Sequence, residues 1–126
     1  MIGLGTYAFF WEHSDRVADP LSLVGAFERT RELDVDVFQI CDYAPLTEMS
    51  EAEVQDAARA ARELGMTIEL GTKGIDPDHL ARFLRLAEVF DARLVRSMVF
   101  GPDSRPALGE ADALLRGILP SFENAG

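Results

Sequence analysis

The sequence predicts an α/β fold of four consecutive βα units around a parallel sheet. Three observations carry this reading. Four short strand-like segments begin roughly 30 residues apart. Each is followed by apolar residues at helical spacing. Helix start and stop residues stand between them in the right order. Nothing in 1–126 reads as a linker, a low-complexity run or a boundary, so the 126 residues form one domain with its own core.

Ile2 to Phe9 reads as the first strand, and a polar loop, Trp11 to Asp19, follows. Asp19-Pro20 opens a helix with Leu23, Ala26, Phe27 and Leu33 on its buried side. Val37 to Asp42 is a second strand of nearly continuous apolar character, as expected when both faces are covered. Ser50-Glu51-Ala52-Glu53 is a capping box, and the helix behind it carries Val54, Ala57, Ala58, Ala61 and Leu64 before Gly65 stops it. Thr67 to Thr72 alternates, with Ile68 and Leu70 on one face and Glu69 and Gly71 on the other. Asp76 caps the third helix, Pro77 fits its first position, and Leu80, Phe83, Leu84 and Ala87 form its stripe. Leu94 to Phe100 is the fourth strand. Beyond a Pro/Gly loop, Ala111, Leu114, Leu115, Ile118, Leu119 and Phe122 make a fourth helix, kinked or restarted at Pro120.

Composition narrows the function classes. A net charge of −10 argues against nucleic acid or an anionic membrane as the main partner. Eleven of the twelve basic residues are arginine, so Lys73 is the only lysine. Cys41 is the only cysteine, which excludes an internal disulfide and makes a reducing cytoplasm the default. No apolar run approaches the ~20 residues of a membrane span, and the N-terminus lacks the pattern of a signal peptide. There is no dinucleotide fingerprint, Walker loop or nucleophile elbow.

Parallel strands joined by right-handed crossovers leave two architectures, an open doubly wound sheet or part of a closed barrel. Ile2-Gly3-Leu4-Gly5-Thr6-Tyr7, Val37-Phe38-Gln39-Ile40-Cys41-Asp42, the turn Glu69-Leu70-Gly71-Thr72-Lys73-Gly74, and Leu94-Val95-Arg96 decide between them. Together they resemble the xylose isomerase-like superfamily of sugar and sugar-phosphate isomerases and epimerases. The resemblance spans the whole chain but only the first four βα units, and implies half of a TIM (βα)8 barrel. It also implies metal-dependent proton transfer beside a sugar carbonyl. The divalent metal of that family is held by later strands, starting at strand five. This sequence reaches 123–126 where strand five would begin, so no cofactor is expected in the chain itself.

In such a half-barrel, Gln39, Glu69 and Arg96 would form one layer facing the axis. Glu69 and Arg96 would then either pair as an interior salt bridge or contact a sugar hydroxyl or phosphate. Barrel active sites lie at the C-terminal strand ends. Tyr7 and Trp11, Asp42 and Tyr43, Thr72 and Lys73, and Phe100 fall there, an aromatic wall with a few polar groups that suits a sugar. The candidate substrate-binding set is therefore Tyr7, Trp11, Asp42, Glu69, Lys73 and Arg96, with no catalytic or metal-binding residue assigned.

The other chemistry-bearing residues read as structural. Glu12, His13 and Asp15 match no ligand spacing and are expected in a solvated loop, His79 on the surface, and Cys41 as a small packing residue. The partner expected is a second copy completing the barrel, or a missing C-terminal half, besides a small sugar-like substrate. Three functions stay open: a contribution to an isomerase or epimerase, with little turnover by the isolated chain; a non-catalytic or engineered half-barrel that self-associates; and a doubly wound binding domain. The absence of a phosphate-cradling first turn disfavours the last.

Overall fold

The computed structural model describes residues 2–125; of 123–126, where a fifth strand is expected to begin, 123–125 are helical and residue 126 lies outside the described residues. Four parallel strands stand in the order β1-β2-β3-β4: β1 (Gly3–Gly5), β2 (Val37–Cys41), β3 (Thr67–Lys73) and β4 (Val95–Met98). Each is followed by a helix: α1 (Leu23–Glu32), α2 (Glu51–Glu63), α3 (Pro77–Phe90) and α4 (Leu108–Ala125). Sequential order with every pair parallel is the arrangement of consecutive units in a TIM barrel, and it lacks the strand-order reversal of a doubly wound sheet.

Register divides the strands into two faces. Phe38, Ile40, Ile68 and Leu70 point to the helices and join Phe27, Ala57, Ala61, Phe83 and Ala87 in one core. On the other face Gly5, Gln39 and Glu69 stand level, and Cys41, Gly71 and Arg96 stand level above them. That second face would line a barrel axis.

Local signals act as the sequence reads. Ser50 and Glu53 bond reciprocally in a capping box. Asp76 accepts from the amides of Asp78 and His79. Gly65 takes the left-handed φ of +66° that ends α2.

Five expectations need correction. The first strand does not run from Ile2 to Phe9, because β1 ends at Gly5 and Thr6–Phe9 coil into a 3-10 turn. The Thr6 hydroxyl replaces the ladder there, accepting from the Cys41 amide at 3.0 Å and donating to the Cys41 carbonyl. The first helix starts at Leu23 behind a Ser22 cap, not at Asp19-Pro20, and Leu33 lies past its end, 63% exposed. The fourth strand is shorter than Leu94 to Phe100. The fourth helix does not restart at Pro120, because α4 runs through it as one element. Finally, the Glu69–Arg96 pair does not form. β4 enters the sheet with Val95 level with Leu70, so Arg96 stands beside Gly71, one layer above Glu69.

Candidate functional site

At the C-terminal end of the sheet, three strand ends converge on one carboxylate. β2 stops at Cys41, and Asp42 adopts a left-handed φ of 49°, rare for a residue with a side chain. Lys73, the last residue of β3, places its ammonium 2.6 Å from Asp42 Oδ2. Tyr7, in the 3-10 turn after β1, donates its hydroxyl to the same oxygen. Residues from three successive units thus meet at the mouth, where barrel active sites lie.

The charges follow from this geometry. Burial pushes the Asp42 carboxyl up, but hydrogen bonds from Lys73 and Tyr7, with the nearby positive charges of Lys73 and Arg96, outweigh it and leave its pKa lowered. The Tyr7 hydroxyl is raised, first by its bond to Asp42 and then by burial. Lys73 is raised by its bond to Asp42 and by that carboxylate's charge. The cluster is a carboxylate, a cation and a neutral phenol over the pH range between acid and strong base.

Below it on the axis face, Gln39 Nε2 donates to Glu69 Oε2 at 3.2 Å. Arg96 Nη2 bonds Gln39 Oε1 at 3.2 Å and Cys41 Sγ at 3.3 Å. Gln39 therefore mediates between the two charged residues expected to pair directly. Trp11 stands apart from both groups, 70% exposed and edge-on to Phe10. Of the six candidate residues, five enter these two connected sets and Trp11 does not.

Two clefts flank the cluster. One, of about 540 Å³, has Ile40, Leu46 and Phe83 at its apolar wall and Lys73 and Asp42 at its rim. His79, expected on the surface, is half-buried in that wall, with Nε2 2.7 Å from the Thr72 hydroxyl and its ring against Phe83. The second cleft, of about 370 Å³, lies between the 3-10 turn and the loop after β2 and is bordered by Tyr7, His13 and Tyr43. The 11–19 loop is also more anchored than its polarity suggests. Glu12 pairs with Arg29 at 2.5 Å, and His13 packs against Phe9 and Tyr43 while its Nδ1 contacts the Leu21 carbonyl at 2.6 Å. Since a carbonyl can only accept, Nδ1 carries the proton.

Sequence reasoning missed Thr6, named Thr72 at its strand end without giving it a partner, and read His13 and His79 as solvated or surface residues. The one available signal was a threonine at the end of a strand, twice, where its hydroxyl can meet a neighbouring element. Among the described residues, no three His, Cys, Asp or Glu side chains gather as a metal site.

Comparison with known proteins places the fold. No family model matches the sequence. The chain is 48% identical over 122 residues to the 3-oxo-isoapionate decarboxylase of Pectobacterium atrosepticum, a match that takes in 97% of this chain and 44% of the relative. The chain thus spans less than half the length of the curated relative it matches. In structure it is similar to D-psicose 3-epimerase crystallised in the presence of D-fructose, with a TM-score of 0.73 at 16% identity, covering 98% of this chain and 49% of the other. It is equally similar to the D-psicose 3-epimerase of Clostridium cellulolyticum H10 with D-tagatose, at a TM-score of 0.72, 14% identity and the same shares. With the strand order, these matches give the chain the fold of half of a TIM barrel.

Proposed function

We propose that this chain builds one side of a barrel active site that decarboxylates a 3-oxo sugar acid, the substrate class in the name of its Pectobacterium relative. The observation that carries the reading is the Tyr7–Asp42–Lys73 cluster at the sheet mouth. When a 3-oxo acid loses CO2, the electron pair of the C1–C2 bond moves toward the ketone and leaves an enolate oxygen. A fixed cation beside that oxygen lowers the barrier, because it is worth more as the negative charge develops. Lys73 is that cation. Asp42 orients it through Oδ2, and Oδ1 faces no partner among the described residues, so it can accept from a substrate hydroxyl. Tyr7 adds a phenol whose raised pKa keeps its proton. The divalent metal of the wider family would find its ligands outside these residues, and nothing in this scheme runs through it.

A second reading is favoured by the structural neighbours: epimerisation of a ketohexose at the same mouth. The two differ in product. The chain, co-expressed with the later half of the Pectobacterium decarboxylase to complete the barrel, is assayed for CO2 from 3-oxo-isoapionate and for interconversion of D-fructose and D-psicose. CO2 release that falls about 100-fold in Lys73→Met supports the decarboxylase reading. Epimerisation without CO2 release overturns it.

A further inference from the structure

The two clefts beside the mouth cluster meet at Asp42 but differ in charge and in wall. The smaller one, about 370 Å³, has Asp15 and Asp42 on its lining and no lysine or arginine. It repels an anion and suits hydroxyl groups, which can donate to carboxylates. The larger one, about 540 Å³, is walled by Ile40, Leu46 and Phe83 and has Lys73 on its rim. Of the carboxylates on its border, Asp42 is neutralised by Lys73 and Asp76 is engaged by the Asp78 and His79 amides. Asp103 is exposed on the loop after β4.

His79 supplies a donor on that apolar wall. Its Nε2 lies 2.7 Å from the hydroxyl of Thr72, a buried side chain with no other hydrogen-bond partner among the described residues. If Nε2 donated, the Thr72 proton would be left buried and unpaired, which is costly. Thr72 therefore donates to Nε2, and the neutral ring carries its proton on Nδ1. Nδ1 has no partner among the described residues and is not sealed from the surface. The Thr72 bond and the ring's packing on Phe83, 5.0 Å between centroids, hold that N–H in one place.

We infer that the larger cleft takes the carboxyl end of the substrate, positioned by the His79 Nδ1–H, and receives it as CO2. The inference rests on the decarboxylase reading above. A carboxylate held by His79 leaves the ketone, one carbon further along, on the Lys73 side of the rim. The C1–C2 bond breaks, its electron pair becomes the enolate beside Lys73, and CO2 leaves as a neutral molecule. C2 then takes a proton from water, so no oxidant or further reactant is needed. Ile40, Leu46 and Phe83 accommodate the neutral product better than the anion it came from, which favours the forward step. A neutral donor orients the carboxylate without holding its charge as firmly as a cation would. The hydroxyl-bearing end of the substrate falls to the smaller cleft.

The test has a binding arm and a turnover arm. In the first, long-range proton–nitrogen NMR of the chain reads the His79 tautomer and follows it as malonamate is added. That probe carries a carboxylate one carbon from a carbonyl and keeps its CO2. The Nδ1–H tautomer is expected, and its signal should move with malonamate but not with acetamide, which lacks the carboxylate. In the second, CO2 release is measured on the co-expressed, completed barrel. His79→Gln loses the donor at the Nδ1 position and should raise KM about tenfold with kcat nearly unchanged. His79→Asn keeps an N–H at that position and should restore most of the loss. An Nε2–H tautomer, or a His79 signal that malonamate leaves unmoved, overturns the inference. So does an unchanged KM in His79→Gln while CO2 is still released. Malonamate binding at His79 with no CO2 release supports the carboxylate site and overturns the decarboxylase reading alone.

Discussion

The inner strands and the outer strands of this sheet obey different rules. β2 runs Val37–Cys41 with every residue buried except the half-buried Gln39, and β3 buries Ile68, Leu70, Gly71 and Thr72. β1 and β4 have no fully buried residue. A strand paired on both sides and covered by helices must satisfy hydrogen bonds and packing together, so its sequence is tightly constrained. A strand paired on one side is constrained only there. Polar function collects where the two regimes meet, at the strand ends where Tyr7 reaches from the outer strand to Asp42 and Lys73 on the inner pair.

The largest expected effect sits on the inner side. Phe38 is wholly buried in β2 and packs edge-on to Phe27 at 5.2 Å between ring centroids, so Phe38→Ala should cost about 3–5 kcal/mol in urea unfolding. Met98→Ala on β4, at 53% exposure, should stay within about 0.5 kcal/mol for the monomer. Equal losses would erase the distinction between the two regions.

Next is the axis face of the inner pair. A Cβ built on Gly71 would lie 2.6 Å from Cys41 Sγ, so Gly71→Ala should destabilise by about 1–3 kcal/mol. Adding Cys41→Ala removes the sulfur and should recover part of that loss; a double-mutant cycle reads the coupling. Strict additivity would mean that the sheet accommodates the methyl in another way.

At the junction of β1 and β2, Thr6→Val keeps shape and removes both bonds to Cys41. Equilibrium unfolding should show a loss of about 1–2 kcal/mol, with local exchange of the Cys41 amide rising as well. An unchanged Cys41 amide would show that the threonine is not what joins the two strands.

The smallest effects belong to the mouth cluster, which is exposed enough for solvent to screen it. Asp42 has a folded pKa below its unfolded value, so its contribution is present above the ordinary carboxylate range and fades as pH falls through the lowered value. Lys73 and Tyr7 have raised values, so theirs are present below their ordinary pKa and fade as pH rises through the raised ones. Lys73→Met should leave the melting midpoint nearly unchanged at neutral pH, while NMR titration shows the Asp42 pKa moving up. Asp42→Asn, which tolerates the left-handed backbone, should bring the Tyr7 titration, followed by ultraviolet absorbance, back down toward its ordinary value. A fixed Tyr7 titration in that variant would mean that Asp42 is not what holds it.

Much of this was legible in the chain because the signals are local. The capping box at Ser50, the Asp76-Pro77 helix start, the stop at Gly65 and the alternation of β3 each depend on neighbours within a few residues. The mouth residues were legible for a related reason: in a run of parallel βα units every strand end faces one way, so Tyr7, Asp42 and Lys73 had to share a face. Trp11 failed because it lies beyond a 3-10 turn that nothing local announced. Leu33 read as one more turn of α1, but the helix ends at Glu32 and leaves it in water.

By itself the sequence determined the four βα units, their order, their helix-facing core and the set of polar residues at the mouth, since periodicity and caps are properties of short segments. Only the tertiary structure decided the partners. A two-residue difference in where β4 enters the sheet took Arg96 from Glu69 and gave it to Gln39 and Cys41, and a hydroxyl bond across 35 residues ended β1 at Gly5. Register and long-range hydrogen bonds join segments distant in the chain, and no local pattern carries the offset between them.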